Sequence, residues 1–196
     1  MVQTRRQDEL ATLYNEAKAA GVQVFGEGNS KAGLMLVGEA PGREEAASGH
    51  PFVGPAGKVL GALLDRLGIP RPEIWITNTY KIRPISQTES GTANRPPRVS
   101  EVAAHRWILE REIRLVRPRV IVCLGAIAAS ALIHPGFRVK ENRGVWFPGP
   151  EGSRIRATYH PSYLLRLRGP DYEIARDELL ADLGRAWGEA REGDED

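Results

Sequence analysis

The chain has 196 residues, 41% of them hydrophobic, and a formal net charge of +2. This length suits a single domain, 1–196, with a sizeable core. No apolar run approaches the ~20 residues of a membrane span. The charged N-terminus MVQTRRQDEL lacks the apolar segment of a signal peptide, so we expect a cytoplasmic protein. One cysteine, Cys123, excludes an internal disulfide and any site built from several thiolates.

The C-terminal residues 189–196 carry five acids and one arginine, and we expect them to form an acidic, disordered tail. The rest of the chain then has a net charge of +6. Such a charge permits a polyanionic partner without requiring one.

Apolar periodicity and breaker residues predict alternating helices and strands. Helices are predicted at 7–20, 56–68, 100–116 (with Ser100 as N-cap), 126–133 and about 171–189. Strands are predicted at 34–38, 74–78, 119–125 and in 154–162, where the strand runs into a loop; 137–148 reads as a hairpin or irregular loop. This alternation indicates a parallel sheet covered by helices on both faces.

Four loop segments directly follow the predicted strands: 38–41, 78–79, 125–126 and 160–162. Because right-handed crossovers place the carboxyl ends of parallel strands at one edge, these segments should face one crevice. Ligands of open α/β sheets bind in such a crevice.

The loop after the first strand, GEAPGREEAASGHPFVGPAG, is the longest interruption in the pattern. GEAPG alone is more often a tight structural turn, but its free amides can also hold an anion or a carbonyl oxygen. A loop this long is usually functional or disordered. Phe52 within it is either a plug on the core or a platform for a flat base. Glu44 and Glu45, taken alone, are solvated charges.

Two polar residues and one apolar pair after later strands also suggest chemistry. The amide of Asn78 complements an imide edge, although a capping role is equally consistent. His160, locked before a proline, suits electrophilic or acid catalysis, or is simply hydrogen-bonded. Leu164 and Leu165, flanked by arginines, suit insertion into a nucleic-acid duplex or begin an amphipathic helix.

Common nucleotide and hydrolase motifs are absent: the sequence has no GxGxxG, GxxxxGK[ST], GxSxG or HExxH. An enzyme that binds nucleotide phosphates is therefore poorly supported. His50, His105 and His134 lack metal-ligand spacing, and no metal site is predicted.

The segments VFGEGN, GEAPGREEAASGHPFVGPAG, ITNTYKIRP, RPRVIVCLG and YHPSYLLR together resemble the uracil-DNA glycosylase superfamily. The most similar group is family 4, whose members normally carry an iron–sulfur cluster. The resemblance covers roughly residues 7–185 and implies a three-layer α/β/α sandwich with a central four-stranded parallel sheet. It also implies hydrolysis of the N-glycosidic bond of uracil, flipped out of DNA, as the first step of base excision repair.

By the resemblance, Phe52 stacks on uracil and Asn78 reads its Watson–Crick edge. Backbone near Glu39 and Ala40 meets a base oxygen, and His160 donates to O2 as uracil leaves. The residues expected to contact DNA are Ser162, Leu164, Leu165 and Arg166.

The sequence departs from the family at several positions. Where other families hold water with Asp or Asn, this chain has Ala40, so Glu39 and Glu45 are the remaining candidate carboxylates; Glu44 is a surface charge. Ala46 replaces an Asp, and the extended loop 85–93 is followed by NRPPR, without the histidine that captures DNA covalently in a related branch. The cluster cysteines are replaced by Ala11, Tyr14, Ile82 and His105.

We therefore expect no iron–sulfur cluster and no other cofactor, with packing by Tyr14, Ile82 and Trp107 in its place. The leading hypothesis is an active, monomeric uracil-DNA glycosylase whose partner is uracil-containing DNA. A catalytically weak or inactive DNA-binding relative is the alternative, because of Ala40 and Ala46. A small-molecule nucleoside hydrolase is a more distant one.

Overall fold

The computed structural model describes residues 2–89 and 91–192. The helices are α1 (Val2–Ala19), α2 (Arg43–Ser48), α3 (Pro55–Arg66), α4 (Val99–Val116), α5 (Ala126–Leu132), α6 (Val139–Asn142), α7 (Pro161–Leu164) and α8 (Gly169–Arg191). The strands are β1 (Glu27–Gly28), β2 (Leu34–Gly38), β3 (Trp75–Asn78), β4 (Ile85–Thr88), β5 (Gly91–Asn94), β6 (Val120–Leu124), β7 (Phe147–Pro148) and β8 (Arg154–Thr158). Short 3-10 turns lie at Arg71–Glu73 and Pro150–Gly152.

The main sheet has the strand order β1-β3-β2-β6-β8-β7. Its four central strands are parallel, which confirms the predicted sheet. The edge strands β1 and β7 have two residues each and pair antiparallel, so the sheet has six strands rather than four. Every residue of β2, β3 and β6 is buried, as expected for parallel strands covered on both faces.

Two apolar cores separate the three layers. On one face, Leu13 of α1 and Ile108 of α4 belong to a core that includes Val37 and Cys123 of the sheet. On the other face, side chains of α3 and α8 pack against the alternate sheet residues, among them Leu36. The architecture is therefore the three-layer α/β/α sandwich predicted from the sequence.

Some predicted boundaries differ from those observed. α4 begins at Val99 and is capped by Arg98, whose N–H donates to the carboxylate of Glu101 at 2.6 Å. Ser100 therefore lies inside the helix, and its prediction as N-cap is wrong.

Two irregular regions also contain regular structure. The segment 137–148 contains α6 and β7 instead of a hairpin, and the extended loop forms the exposed hairpin β4–β5. α8 continues to Arg191, so 189–191 of the predicted tail are helical, while 193–196 lie outside the described residues. Within 2–89 and 91–192, no helix combines the length and apolarity needed to cross a membrane.

Candidate active site

The carboxyl ends of β2, β3, β6 and β8 border one cavity of about 850 Å³. Of the ten site residues predicted from the sequence, nine line it: Glu39, Ala40, Glu45, Phe52, Asn78, His160, Ser162, Leu165 and Arg166. Residues more than 100 positions apart in sequence meet here because each follows a strand of the same parallel sheet.

The exception is Leu164, which is only 1% exposed and packs in the core beside α3 and α8. Its side chain is therefore not presented at the surface of this structure, and its contact with DNA stays a prediction. Leu165, 43% exposed, is the leucine that projects from the surface at the rim of the cavity. Successive residues of a single helical turn point in different directions, so only one of the two can face outward.

Phe52 is held in a left-handed backbone conformation, with φ of 54°, by contacts on both sides. The guanidinium of Arg71 donates to the carbonyls of Pro51 (2.5 Å) and Phe52 (3.3 Å). A Cβ at Gly57 would lie 2.1 Å from the Phe52 carbonyl, so only glycine allows α3 to pass this closely. The ring packs in the core and also lines the cavity, a position that is compatible with both roles predicted for it.

The carboxylate of Glu45 is engaged by three backbone N–H groups. Its Oε1 accepts from Val53 (3.1 Å) and Gly54 (2.7 Å). Its Oε2 accepts from Gly42 at 3.1 Å. Glu45 therefore joins the two turns of the loop, one at GEAPG and the other directly after Phe52, and both of its oxygens have protein partners.

Glu39 differs from Glu45 because its carboxylate makes no hydrogen bond among the residues that the structure describes. Its backbone is fixed, since its carbonyl accepts from the Tyr80 N–H (3.0 Å) and the Thr79 hydroxyl (2.7 Å). Burial raises the pKa of the Glu39 carboxyl above its ordinary value, and the positive charge of Arg166 opposes this rise. Of the two candidate carboxylates, Glu39 is the one available to a ligand. Glu44 is exposed, as predicted.

Asn78 ends β3 opposite Gly38 of β2 and is 3% exposed. A Cβ at Gly38 would lie 2.5 Å from both the Asn78 Oδ1 and the Phe52 ring. The glycine therefore lets the amide and the ring approach each other at the floor of the cavity. No described residue hydrogen-bonds the Asn78 amide, which leaves it available to a ligand.

His160 follows β8 and caps α7, and its ring is oriented by Ser162. Its Nδ1 accepts from the Ser162 N–H (3.2 Å) and lies 2.8 Å from the Ser162 hydroxyl. Burial, and then the charge of Arg166, lower the pKa of His160 to about 4, with Glu45 opposing. The imidazole is therefore neutral near pH 7 with its proton on Nε2. Its ring centroid lies 5.8 Å from that of Phe52.

A family model for the uracil DNA glycosylase superfamily matches residues 25–184. The chain belongs to this superfamily. It is 38% identical to the Type-4 uracil-DNA glycosylase of Thermotoga maritima over 164 residues, which cover 83% of this chain and 80% of that protein. It is 41% identical to the Type-4 enzyme of Pyrobaculum aerophilum over 172 residues, covering 84% and 82%. The Archaeoglobus fulgidus Type-4 enzyme is 44% identical over 111 residues, covering 57% and 52%.

This member of the superfamily has no thiolates where the family's iron–sulfur cluster would bind. Tyr14 packs edge-on against Phe25 with centroids 5.6 Å apart. The ring of His105 packs at a tilt against that of Tyr80, with centroids 4.6 Å apart, and its Nδ1 accepts from the Lys81 N–H. The sole cysteine lies fully buried in β6, where burial raises its pKa. The residues present do not fit a cluster, and no group of three or more His, Cys, Asp or Glu in 2–89 and 91–192 could hold a metal.

The same region contains a buried ion pair between Lys81 and Glu112. The Lys81 Nζ lies 2.6 Å from the Glu112 carboxylate, and both side chains are fully buried. The other oxygen of Glu112 accepts from the Gly26 N–H at 3.0 Å. Trp107, which we expected to pack here, is instead exposed beside Arg111.

Sequence reasoning missed several residues of the cavity wall. Arg83, Asn94 and Arg95, at the base of the β4–β5 hairpin, line it, and the Arg83 Nε donates to the Asn94 Oδ1 at 2.6 Å. The extra length of this loop was the available signal, but length alone did not show that the loop turns back toward the cavity. Tyr159, beside His160, also lines the wall, and its ring packs at a tilt against that of Tyr163 with centroids 5.0 Å apart.

Proposed function

We propose that this protein is a uracil-DNA glycosylase that hydrolyses the N-glycosidic bond of a uracil flipped out of DNA and so initiates base excision repair. The convergence of Phe52, Asn78, His160 and Glu39 on one cavity carries this proposal. The Type-4 glycosylases that the chain resembles over more than four-fifths of its length support the same activity.

Recognition of the base requires a flat apolar surface and a polar edge reader. The Phe52 ring supplies the surface on which uracil stacks, a contact worth ~1–3 kcal/mol per base. The Asn78 amide offers one donor and one acceptor, which match the C4 carbonyl and N3–H of uracil. Backbone near Glu39 and Ala40 completes the wall around the base.

Departure of the base is assisted by His160. Glycosidic bond cleavage transfers an electron pair to uracil, and negative charge develops on O2. A neutral imidazole with its proton on Nε2 donates a hydrogen bond to that oxygen, and its orientation is already set by Ser162. Because this stabilisation is largest in the transition state, it accelerates cleavage.

The sugar cation must then be stabilised and attacked by water. Ala40 has no polar side chain for this, so we assign the role to the free carboxylate of Glu39. Its raised pKa increases its basicity, which favours its accepting a proton from water. Leu165 fills the space that the flipped nucleotide leaves, and Arg166 contacts a phosphate. The protein acts as a monomer, without a cofactor, in the cytoplasm.

The decisive experiment incubates the purified protein with uracil-containing oligonucleotides as U·G, U·A and single strands, followed by alkali to cleave abasic sites. We expect strand cleavage that depends on uracil, and no iron by elemental analysis of the active protein. An oligonucleotide with thymine in place of uracil is the control. Binding of uracil DNA by folded protein without base release would instead identify a catalytically inactive relative.

A further inference from the structure

The exposed Leu165 forms a ridge between two hollows. One is the proposed uracil cavity, and the other is a groove of about 450 Å³ on its far side. Val59 of α3, Leu167 and Tyr172 of α8 line the groove, and Arg168 lies at its edge. Leu165 lines both, so the two hollows adjoin at this side chain.

The ridge is held in place by contacts within the protein. The Arg168 guanidinium donates to the carbonyls of Leu165 (3.2 Å) and Leu167 (2.7 Å), which fixes the turn between α7 and α8. Leu164 is buried beneath this turn. The groove is therefore formed before any ligand arrives, and binding to it requires little ordering of the chain.

The chemistry of the groove fits a nucleobase. Its walls are largely apolar, the aromatic ring of Tyr172 is one of them, and the cationic Arg168 lies at its edge. Single-stranded nucleic acids bind to this combination, with bases stacked on aromatic rings and phosphates beside arginines. Because Leu165 lines both hollows, a strand that delivers a uracil into the cavity along this rim places the neighbouring nucleotide at the groove.

We propose that this groove binds the base next to the uracil on the same strand, stacked on Tyr172. The inference rests on the proposed function and adds a substrate preference to it. In a single strand the neighbouring base is free to enter the groove, whereas in a duplex it is held by pairing and stacking. The groove therefore favours single-stranded over double-stranded substrates.

Three variants and three kinds of substrate test the inference. Tyr172→Ala removes the ring, Tyr172→Phe keeps it, and Ile174→Ala is the matched control, since Ile174 is 59% exposed on the same helix and does not line the groove. The substrates are of three kinds: a uracil-containing single strand, the U·A duplex, and a pair of single strands with a tetrahydrofuran abasic analogue on one side of uracil or the other.

Tyr172→Ala should raise KM on the single strand by roughly 5- to 150-fold, with kcat unchanged, and have a smaller effect on the duplex. Tyr172→Phe and Ile174→Ala should match the wild type. Loss of the neighbouring base on one side of uracil should weaken binding to the wild type by the same factor and should not affect binding to Tyr172→Ala. The reason is that the abasic substitution and the Tyr172→Ala substitution each remove the same stacking contact. Circular dichroism checks that each variant is folded.

The inference is overturned if Tyr172→Ala behaves like Ile174→Ala, or if an abasic neighbour weakens both proteins equally. Sedimentation velocity could instead detect a concentration-dependent dimer that is absent in Tyr172→Ala. That result would show that a second copy of the chain fills the groove. If neither the wild type nor any variant releases uracil, the proposed function fails, and binding to the groove is then tested without catalysis. Fluorescence anisotropy with an oligonucleotide containing a non-hydrolysable 2′-fluoro uracil nucleotide then gives the affinities of the same variants.

Discussion

Replacing the two candidate carboxylates by their amides should have different effects on stability. Glu45→Gln changes a group that binds three backbone N–H donors. Glu39→Gln changes a partly buried group without a hydrogen-bond partner among the described residues. The two substitutions are equal in size and charge change, so each is the matched control for the other.

The expected cost of Glu45→Gln follows from its contacts. Hydrogen bonds to a charged group contribute ~1.5–3 kcal/mol each. In either orientation of the new amide, its NH₂ group faces at least one backbone N–H, and the remaining bonds lose their charge assistance. We expect a loss of ~2–4 kcal/mol in unfolding free energy, which corresponds to ~5–15 °C in Tm for a domain of this size.

Glu39→Gln should leave the unfolding free energy at pH 7 unchanged or higher, because burial raises the pKa of the Glu39 carboxyl and so disfavours its charged form, a cost that the neutral amide does not have. Its kcat should fall ~10²–10⁴-fold, the usual contribution of a general base. Urea unfolding and single-turnover cleavage of a uracil-containing single strand measure the two quantities. Wild-type stability with lost activity in Glu45→Gln would show that Glu45 acts on substrate directly. Wild-type activity in Glu39→Gln would refute its assignment as base.

Three further predictions concern other residues. The unfolding free energy should fall by up to ~3 kcal/mol as pH drops from about 6.5 to 4. The reason is that His160 binds a proton more tightly in the unfolded chain than in the folded protein. His160→Gln should remove this part of the pH dependence when unfolding is measured by urea titration at each pH. Asn78→Ala should lower kcat/KM by roughly 5- to 150-fold, the loss of ~1–3 kcal/mol from two hydrogen bonds, and an unchanged value would exclude edge reading. Lys81→Met should cost ~3–5 kcal/mol in unfolding free energy because Glu112 is left buried without its partner; a cost below that of an exposed substitution such as Lys58→Met would contradict this.

The convergence of the site was predictable because it depends on topology. Continuous apolar runs identify buried parallel strands, and the handedness of their connections places the loop after each strand at one edge. That rule alone brings Glu39, Asn78 and His160 together, without knowledge of any contact. The same rule leaves open how each loop turns once it has left its strand.

The features that were not predictable depend on contacts between distant segments. The sequence does not show whether Glu39 or Glu45 is the free carboxylate. The distinction depends on the path of the loop, which brings the N–H groups of Val53 and Gly54 to the carboxylate of Glu45. Nothing local to Lys81 signals that its partner lies 31 residues away in α4. The two-residue edge strands are too short to show an alternating pattern.

The buried Lys81–Glu112 pair and the active site are connected through the segment that leaves β3. The Lys81 carbonyl accepts from the N–H groups of Gln23 and Val24, and its own N–H donates to His105. These contacts fix the chain just beyond Thr79 and Tyr80, the two residues that hold the Glu39 carbonyl. A change in the backbone path directly after β3 would therefore displace both Asn78 and Glu39, although neither residue contacts the ion pair. A buried pair adds little net stability, but its strict geometry selects one path for the backbone, and in this chain that path places the base reader and the free carboxylate.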